Sequence, residues 1–191
     1  YANDPDRPYQ YASETQLIGD LDKVSEQIIR FAGEQTLSPP TVIHWGMIPP
    51  PLFRPLYARG VRVLSGYFVP NDRGWDVNYC LDDVRSEYLS RHDALMDFDS
   101  GIVFSRVDIV CNNVPFEQIV STLEPLTQDP NTAEIMDLFT HEQYFWPFYV
   151  NYIPDHAAPG YGHPFCDRTR LSAGLLPRGL SGRTGLKSDR R

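Results

Sequence analysis

Two histidines stand where strands are predicted to end, and they offer the clearest chemistry in this sequence. His44 closes the predicted strand 41–45, and His141 closes the apolar run 138–140 and is followed at once by Glu142. A histidine near an acid suits proton transfer around neutral pH. We therefore predict His141, His44 and Glu142 as catalytic residues in one cleft. For both histidines the alternative is a hydrogen-bonded packing residue beside aromatic side chains.

Asp108 is a further catalytic candidate, because it lies inside the otherwise apolar strand predicted over 102–111. An unpaired buried carboxylate is costly, so Asp108 must meet a polar cavity, a partner or solvent. Catalysis and structural pairing are equally open for it. Aromatic residues surround the histidines in sequence, and flat aromatic faces at a cleft suit sugar rings, the alternative being an aromatic-rich core. The substrate-binding candidates are Trp45, Tyr144 and Trp146.

No metal-binding signature stands in the sequence, and the metal is therefore unknown. No two histidines are three or four residues apart, as HxxxH or HExxH would require. Asp82 and Asp83 start a predicted helix, where acidic residues cap and favour the positive helix end. Cysteines 80, 111 and 166 are far apart and form no CxxC, which fits a reducing, cytoplasmic compartment.

The composition of the 191 residues is globular, with 41% hydrophobic residues and a net charge of −8. No stretch approaches the roughly 20 apolar residues of a membrane helix. Residues 1–157 carry a net charge of −13, which repels phosphate backbones and anionic lipid. We expect neither nucleic acid nor a membrane as a partner, and the oligomeric state stays open.

The elements that position these residues alternate along the chain. Ser13 and Gln16 form a capping box ahead of a helix that ends at Gly33. Its apolar residues follow at spacings of four and three, and they are Leu17, Leu21, Val24, Ile28 and Phe31. Strands are predicted over 41–45, 61–68, 75–80 and 102–111, and short helices over 52–59, over 82–89 and after Pro115. Residues 133–140 are ambiguous, with helix into strand favoured.

Such alternation predicts parallel β-α-β units and an α/β fold, most simply a partial irregular β/α barrel over residues 1–157. No glycine-rich phosphate loop follows any predicted strand. Residues 158–191 differ from the rest, since they hold six of the 13 glycines and carry a net charge of +5. We expect a disordered tail there, and a reading-frame slip is one hypothesis for its origin.

Several stretches resemble uncharacterised bacterial members of the polysaccharide deacetylase-like superfamily over about residues 6–157. They are DRPY at 6–9, IRFAGE at 29–34, LSP at 37–39, IHWG at 43–46, GVRVLSGYF at 60–68 and HEQYF at 141–145. The resemblance implies an irregular β/α barrel and the removal of acyl groups from carbohydrate by a divalent metal and its bound water. It also implies that His141 corresponds to the late-strand histidine, the suggested general acid, and His44 to an earlier cleft residue.

The family's metal-binding motifs are missing from this chain. An Asp-Asp pair and a His-x-x-x-His motif would both lie before Tyr1, and the expected closing helix and last strand would follow Asp155. We therefore expect a truncated deacetylase-like domain, with a divalent metal only in complete relatives. The alternative is a non-catalytic carbohydrate-binding or interaction module, so carbohydrate is the expected ligand in either case.

Overall fold

A computed structural model describes residues 9–72 and 74–149, and the predicted tail 158–191 lies outside these ranges. The helices are α1 (Glu14–Ala32), α2 (Phe53–Ala58), α3 (Asp83–Leu89) and α4 (Ile119–Leu123). The strands are β1 (Pro40–Thr41), β2 (Val63–Gly66), β3 (Val69–Asn71), β4 (Gly74–Asp76), β5 (Ala94–Asp97), β6 (Ile102–Arg106), β7 (Ile109–Val110) and β8 (Leu138–Phe139). Within these ranges no helix has the length and apolar character needed to cross a bilayer.

The main sheet has four strands in the order β1-β2-β6-β5. Strands β1, β2 and β6 are parallel, which confirms the predicted parallel units for these three. Strand β5 runs antiparallel to β6 and was not predicted. A tight turn joins the two, and Gly101 in it has φ +81, a conformation that favours glycine. The sheet is therefore mixed, and the described strands do not close into a barrel.

Two smaller sheets complete the strand pairing. Strands β3 and β4 form an antiparallel hairpin. Strand β7 follows β6 after a two-residue break and pairs in parallel with β8, with Val110 opposite Phe139. The predicted strand 102–111 is thus divided into two pieces that pair with different neighbours.

Helix α1 begins where the sequence predicts, after Ser13. The Ser13 hydroxyl accepts a hydrogen bond from the backbone N–H of Gln16 at 3.2 Å. Gly33 follows the last turn with φ +87. The apolar stripe of the helix is covered only in its first half, because Leu17 is 2% exposed whereas Phe31 is 80% exposed.

The apolar core of the described residues has two parts. The larger part packs α1, α2 and the loops against the main sheet, and its fully buried members include Ile48, Leu56, Leu64, Tyr79, Leu89 and Phe104. The smaller part lies under β7 and consists of Ile109, Cys111, Ile119 and Leu123.

Three predicted elements need correction. The strand predicted over 41–45 ends at Thr41, because Trp45 takes φ +60 within a short 3-10 turn. The strand predicted over 75–80 ends at Asp76 for the same kind of reason, since Val77 takes φ +51. Residues 133–137 form no helix, although the strand that follows them is present as β8.

Candidate functional site

The predicted site residues lie on loops that follow parallel strands. The loop after β1 carries His44 and Trp45, the break between β6 and β7 carries Asp108, and His141 follows β8. In sheets with parallel strands, reactive groups gather where the strands end in their carboxyl direction. The carboxyl ends of β1, β2 and β6 therefore form the edge at which a site is expected.

The backbone at this edge is strained. Among residues 9–72 and 74–149, five non-glycine residues take φ between +50 and +60, a region that L residues rarely occupy. They are Trp45, Phe68, Val77, Tyr79 and Cys80. Each such residue costs on the order of 1–3 kcal/mol and persists only when its surroundings fix it. Trp45 follows β1 and Phe68 follows β2, while the other three follow β4 in the loop that leads to α3.

Tyr79 ties these loops together. Its backbone N–H donates to the Gly46 carbonyl at 2.6 Å, and its hydroxyl donates to the Ser65 carbonyl at 2.6 Å. The side chain is fully buried, and this burial raises the pKa of the Tyr79 hydroxyl. Tyr79 is therefore a neutral hydrogen-bond donor that joins the loop after β1 to strand β2.

Asp108 lies in a buried polar cluster. Its side chain is 1% exposed and forms an ion pair with Arg106, while its Oδ2 accepts the backbone N–H of Asp137 at 2.9 Å. Burial raises the pKa of Asp108 to about 7, although the Asp137 N–H and the Arg106 guanidinium both act to lower it. Asp108 thus has structural partners on two sides.

Asp93 and Asp137 join Asp108 and Arg106 in what we call the carboxylate cluster. Asp93 is buried, and its Oδ2 accepts the backbone N–H groups of Glu134 and Ile135 at 3.1 and 3.0 Å. Burial raises the pKa of Asp93 and that of Asp137. Burial is the largest cause for all three carboxyl groups, so the pKa of each lies above that of an exposed aspartate.

The Asp137 carboxylate also contacts the main sheet, because its Oδ2 accepts the hydroxyl of Ser105 in β6 at 3.1 Å. Two atoms of the cluster, Oδ1 of Asp93 and Nε of Arg106, are buried without a hydrogen-bond partner among the described residues. Sequence reasoning missed Asp93, which stands in a polar stretch, and Asp137. The signal for Asp137 was an acidic residue in an apolar run, the same signal that singled out Asp108.

His141 is held by a residue that sequence reasoning also missed. Its Nδ1 lies 3.0 Å from Oδ1 of Asn112, and its backbone N–H donates to the same oxygen at 3.1 Å. The ring edge packs on Phe139, with centroids 4.8 Å apart. These contacts fix the orientation of the His141 ring. The residue is half-buried, so it keeps partial access to solvent.

Aromatic residues lie on both sides of His141, and we call residues 139–149 the aromatic segment. Tyr144 lies with its centroid 6.2 Å from the His141 ring and 5.3 Å from the Tyr149 ring. Trp146 is 61% exposed and contacts Phe148, which is 87% exposed. The aromatic segment thus presents uncovered rings beside a half-buried histidine.

His44 and Trp45 are both exposed, and their rings meet edge to face at 6.3 Å. The hydrogen bonds and ring contacts of the described residues do not join His44 to His141. The side chain of Glu142 lies outside the described part of the structure. The structure therefore brings together His141, Tyr144 and the rings that follow, and it places Asp108 in a separate buried cluster.

No group of three or more histidine, cysteine, aspartate or glutamate side chains in the described ranges could hold a metal ion. These residues therefore do not fit the metal site that the family resemblance implies. Comparison of the chain with models of protein families, with curated proteins and with solved structures gave no match.

Proposed function

We propose that this chain binds carbohydrate through the aromatic segment. The observation that carries the proposal is the exposure of Trp146, at 61%, next to the still more exposed Phe148. Large aromatic rings are usually buried, because covering one removes a large apolar area from water. An exposed pair of them close in sequence to a polar half-buried histidine is suited to a ligand with both apolar and polar faces.

Carbohydrate has that combination of faces. The C–H face of a pyranose ring lies flat on an indole or phenol ring, while its hydroxyl groups need hydrogen-bond partners at the rim. His141 supplies a ring nitrogen for such a bond, and Tyr144 contacts it through its own ring. The acidic charge of the chain is no obstacle, since neutral sugars carry no phosphate to be repelled.

We propose further that the mixed sheet is part of an irregular β/α barrel of the polysaccharide deacetylase-like kind, whose complete form removes acyl groups from carbohydrate. The sequence resemblance over about residues 6–157 supports this, as does the parallel arrangement of β1, β2 and β6. A divalent metal would supply a hydroxide nucleophile in such a hydrolase. The described residues do not form the site of such a metal, and none of them is therefore assigned as a ligand.

Titration calorimetry with N-acetylglucosamine tetramer and with an acetylated xylo-oligosaccharide tests the binding proposal on the full chain. Trp146→Ala should weaken binding of the preferred probe at least tenfold. Phe98→Ala is the matched control, since Phe98 is also exposed, at 89%, but lies beside β5. Unchanged binding in Trp146→Ala, or no binding of either probe by the unmodified chain, would overturn the proposal.

Hydrolysis of a chromogenic acyl ester, measured with and without added divalent metal, separates the enzyme from a binding module. Metal-dependent turnover that is lost in His141→Ala supports the hydrolase. Binding of either probe without turnover supports the carbohydrate-binding module instead.

A further inference from the structure

We infer that Asn112 is a positioning residue that keeps hydrogen on Nδ1 of His141 and leaves the lone pair of Nε2 available to a carbohydrate hydroxyl. Asn112 lies in the 3-10 turn Cys111–Asn113, directly after β7, and His141 lies two residues after Phe139. The parallel register that sets Val110 opposite Phe139 also brings position 112 opposite position 141. The pairing of β7 with β8 therefore aligns the two side chains.

The hydrogen-bond pattern decides which atoms donate. A backbone N–H can only donate, so the Asn112 atom 3.1 Å from the His141 nitrogen must be the amide oxygen. The Asn112 amide nitrogen has its own acceptor, Oδ1 of Asn113 at 2.8 Å. Because Nδ1 of His141 lies 3.0 Å from that same amide oxygen, Nδ1 must carry a hydrogen and donate it.

A neutral imidazole has one N–H, so hydrogen on Nδ1 leaves Nε2 as a hydrogen-bond acceptor. Packing holds both Asn112 and His141 in place. Cys111, next to Asn112, is buried in the smaller core, and Phe139 packs against the His141 ring. The ring therefore offers its acceptor nitrogen in one orientation, which suits a hydroxyl donor. This use of Nε2 depends on the proposed carbohydrate function, whereas the position of the hydrogen does not.

The position of the hydrogen can be measured on the full chain without any ligand. Long-range ¹H–¹⁵N correlation spectra of the ¹⁵N-labelled protein, at a pH where the ring is neutral, distinguish the two tautomers. His141→Gln assigns the signals among the five histidines. We expect hydrogen on Nδ1 in the unmodified chain, a shift toward hydrogen on Nε2 in Asn112→Ala, and hydrogen retained on Nδ1 in Asn112→Asp.

Hydrogen on Nε2 in the unmodified chain would overturn the inference, and so would an unchanged tautomer in Asn112→Ala. The first result needs no variant, so the test stands even where Asn112→Ala fails to fold. With N-acetylglucosamine tetramer as the probe, Asn112→Ala should weaken binding at least fivefold and Asn112→Asp should weaken it less. If His141 carries hydrogen on Nδ1 but the chain binds neither sugar probe, the result would contradict the proposed function and leave the role of Asn112 intact.

Discussion

The backbone N–H of Asp137 donates to Oδ2 of Asp108 at 2.9 Å, so the residue before β8 is held by a carboxylate in the break between β6 and β7. In the opposite direction, the backbone N–H of Asp108 donates to the Asp137 carbonyl at 2.9 Å. This reciprocal pair links the two strands just before their ladder begins. The stability of the segment that carries His141 therefore depends on a buried carboxyl group.

We predict that the free energy of unfolding falls as the pH rises from about 4 to about 7. The folded state holds a proton on Asp108 up to a pKa of about 7, whereas the unfolded chain releases it near its ordinary pKa. The folded state thus binds more protons in this range, and raising the pH favours unfolding by at most about 1.4 kcal/mol per pH unit for one carboxyl group. Urea unfolding at pH 5, 6, 7 and 8 measures the slope.

Asp108→Asn should make that slope less steep, since the raised pKa values of Asp93 and Asp137 contribute to it as well, while Asp99→Asn, at an exposed aspartate, should leave it unchanged. A free energy of unfolding that does not fall between pH 5 and pH 7, with the same profile in Asp108→Asn, would show that Asp108 ionises in the folded state at its ordinary pKa.

Two glycine substitutions should change stability in opposite directions. A Cβ at Gly46 would lie 2.5 Å from Cγ1 of Val77, and Gly46 has φ +54. Gly46→Ala should therefore cost more than about 1 kcal/mol. A Cβ at Gly19, inside α1, meets nothing within 4 Å, so Gly19→Ala should stabilise the chain by about 0.5–1 kcal/mol. Denaturant midpoints measure both: a gain in stability from Gly46→Ala would contradict the described loop contact, and a loss from Gly19→Ala would contradict the open space at that position of α1.

The apolar stripe of α1 should divide into a half that stabilises the fold and a half that does not. Leu17 is 2% exposed, so Leu17→Ala should cost about 2–5 kcal/mol. Phe31 is 80% exposed, so Phe31→Ala should change the free energy of unfolding by less than about 0.5 kcal/mol. Equal losses in chemical denaturation would mean that Phe31 is covered in solution.

Local signals predicted much of the secondary structure. The N-terminal cap at Ser13 and the acidic start of α3 are confirmed, and Asp82 caps α3 by accepting the Arg85 N–H at 2.9 Å. These features depend on neighbours within one helical turn, which a sequence displays directly. The parallel pairing of β1, β2 and β6 also followed from the alternation of strands and helices.

The features that the sequence did not predict depend on contacts between residues that are distant along the chain. The left-handed backbone of Trp45 and Val77 is fixed by the packing of one loop on another, and their residue types favour strands. Strand β5 has mixed burial and no alternation that would distinguish it from a loop. Asn112 is an ordinary turn residue in sequence, and only the β7–β8 register brings it to His141. Whether His44 and Glu142 act together with His141 stays a prediction.

The hydrogen bonds that hold the segment before β8 depend on the number of residues in that segment more than on their types. Asp93 accepts two consecutive amide hydrogens, from residues 41 and 42 positions further along the chain. What Glu134 and Ile135 contribute to this anchor is main chain alone, so nineteen of the twenty amino acids would serve at either place and only proline would fail. An insertion or deletion that shifted these amides out of reach would instead displace the histidine that follows, even if every side chain were kept.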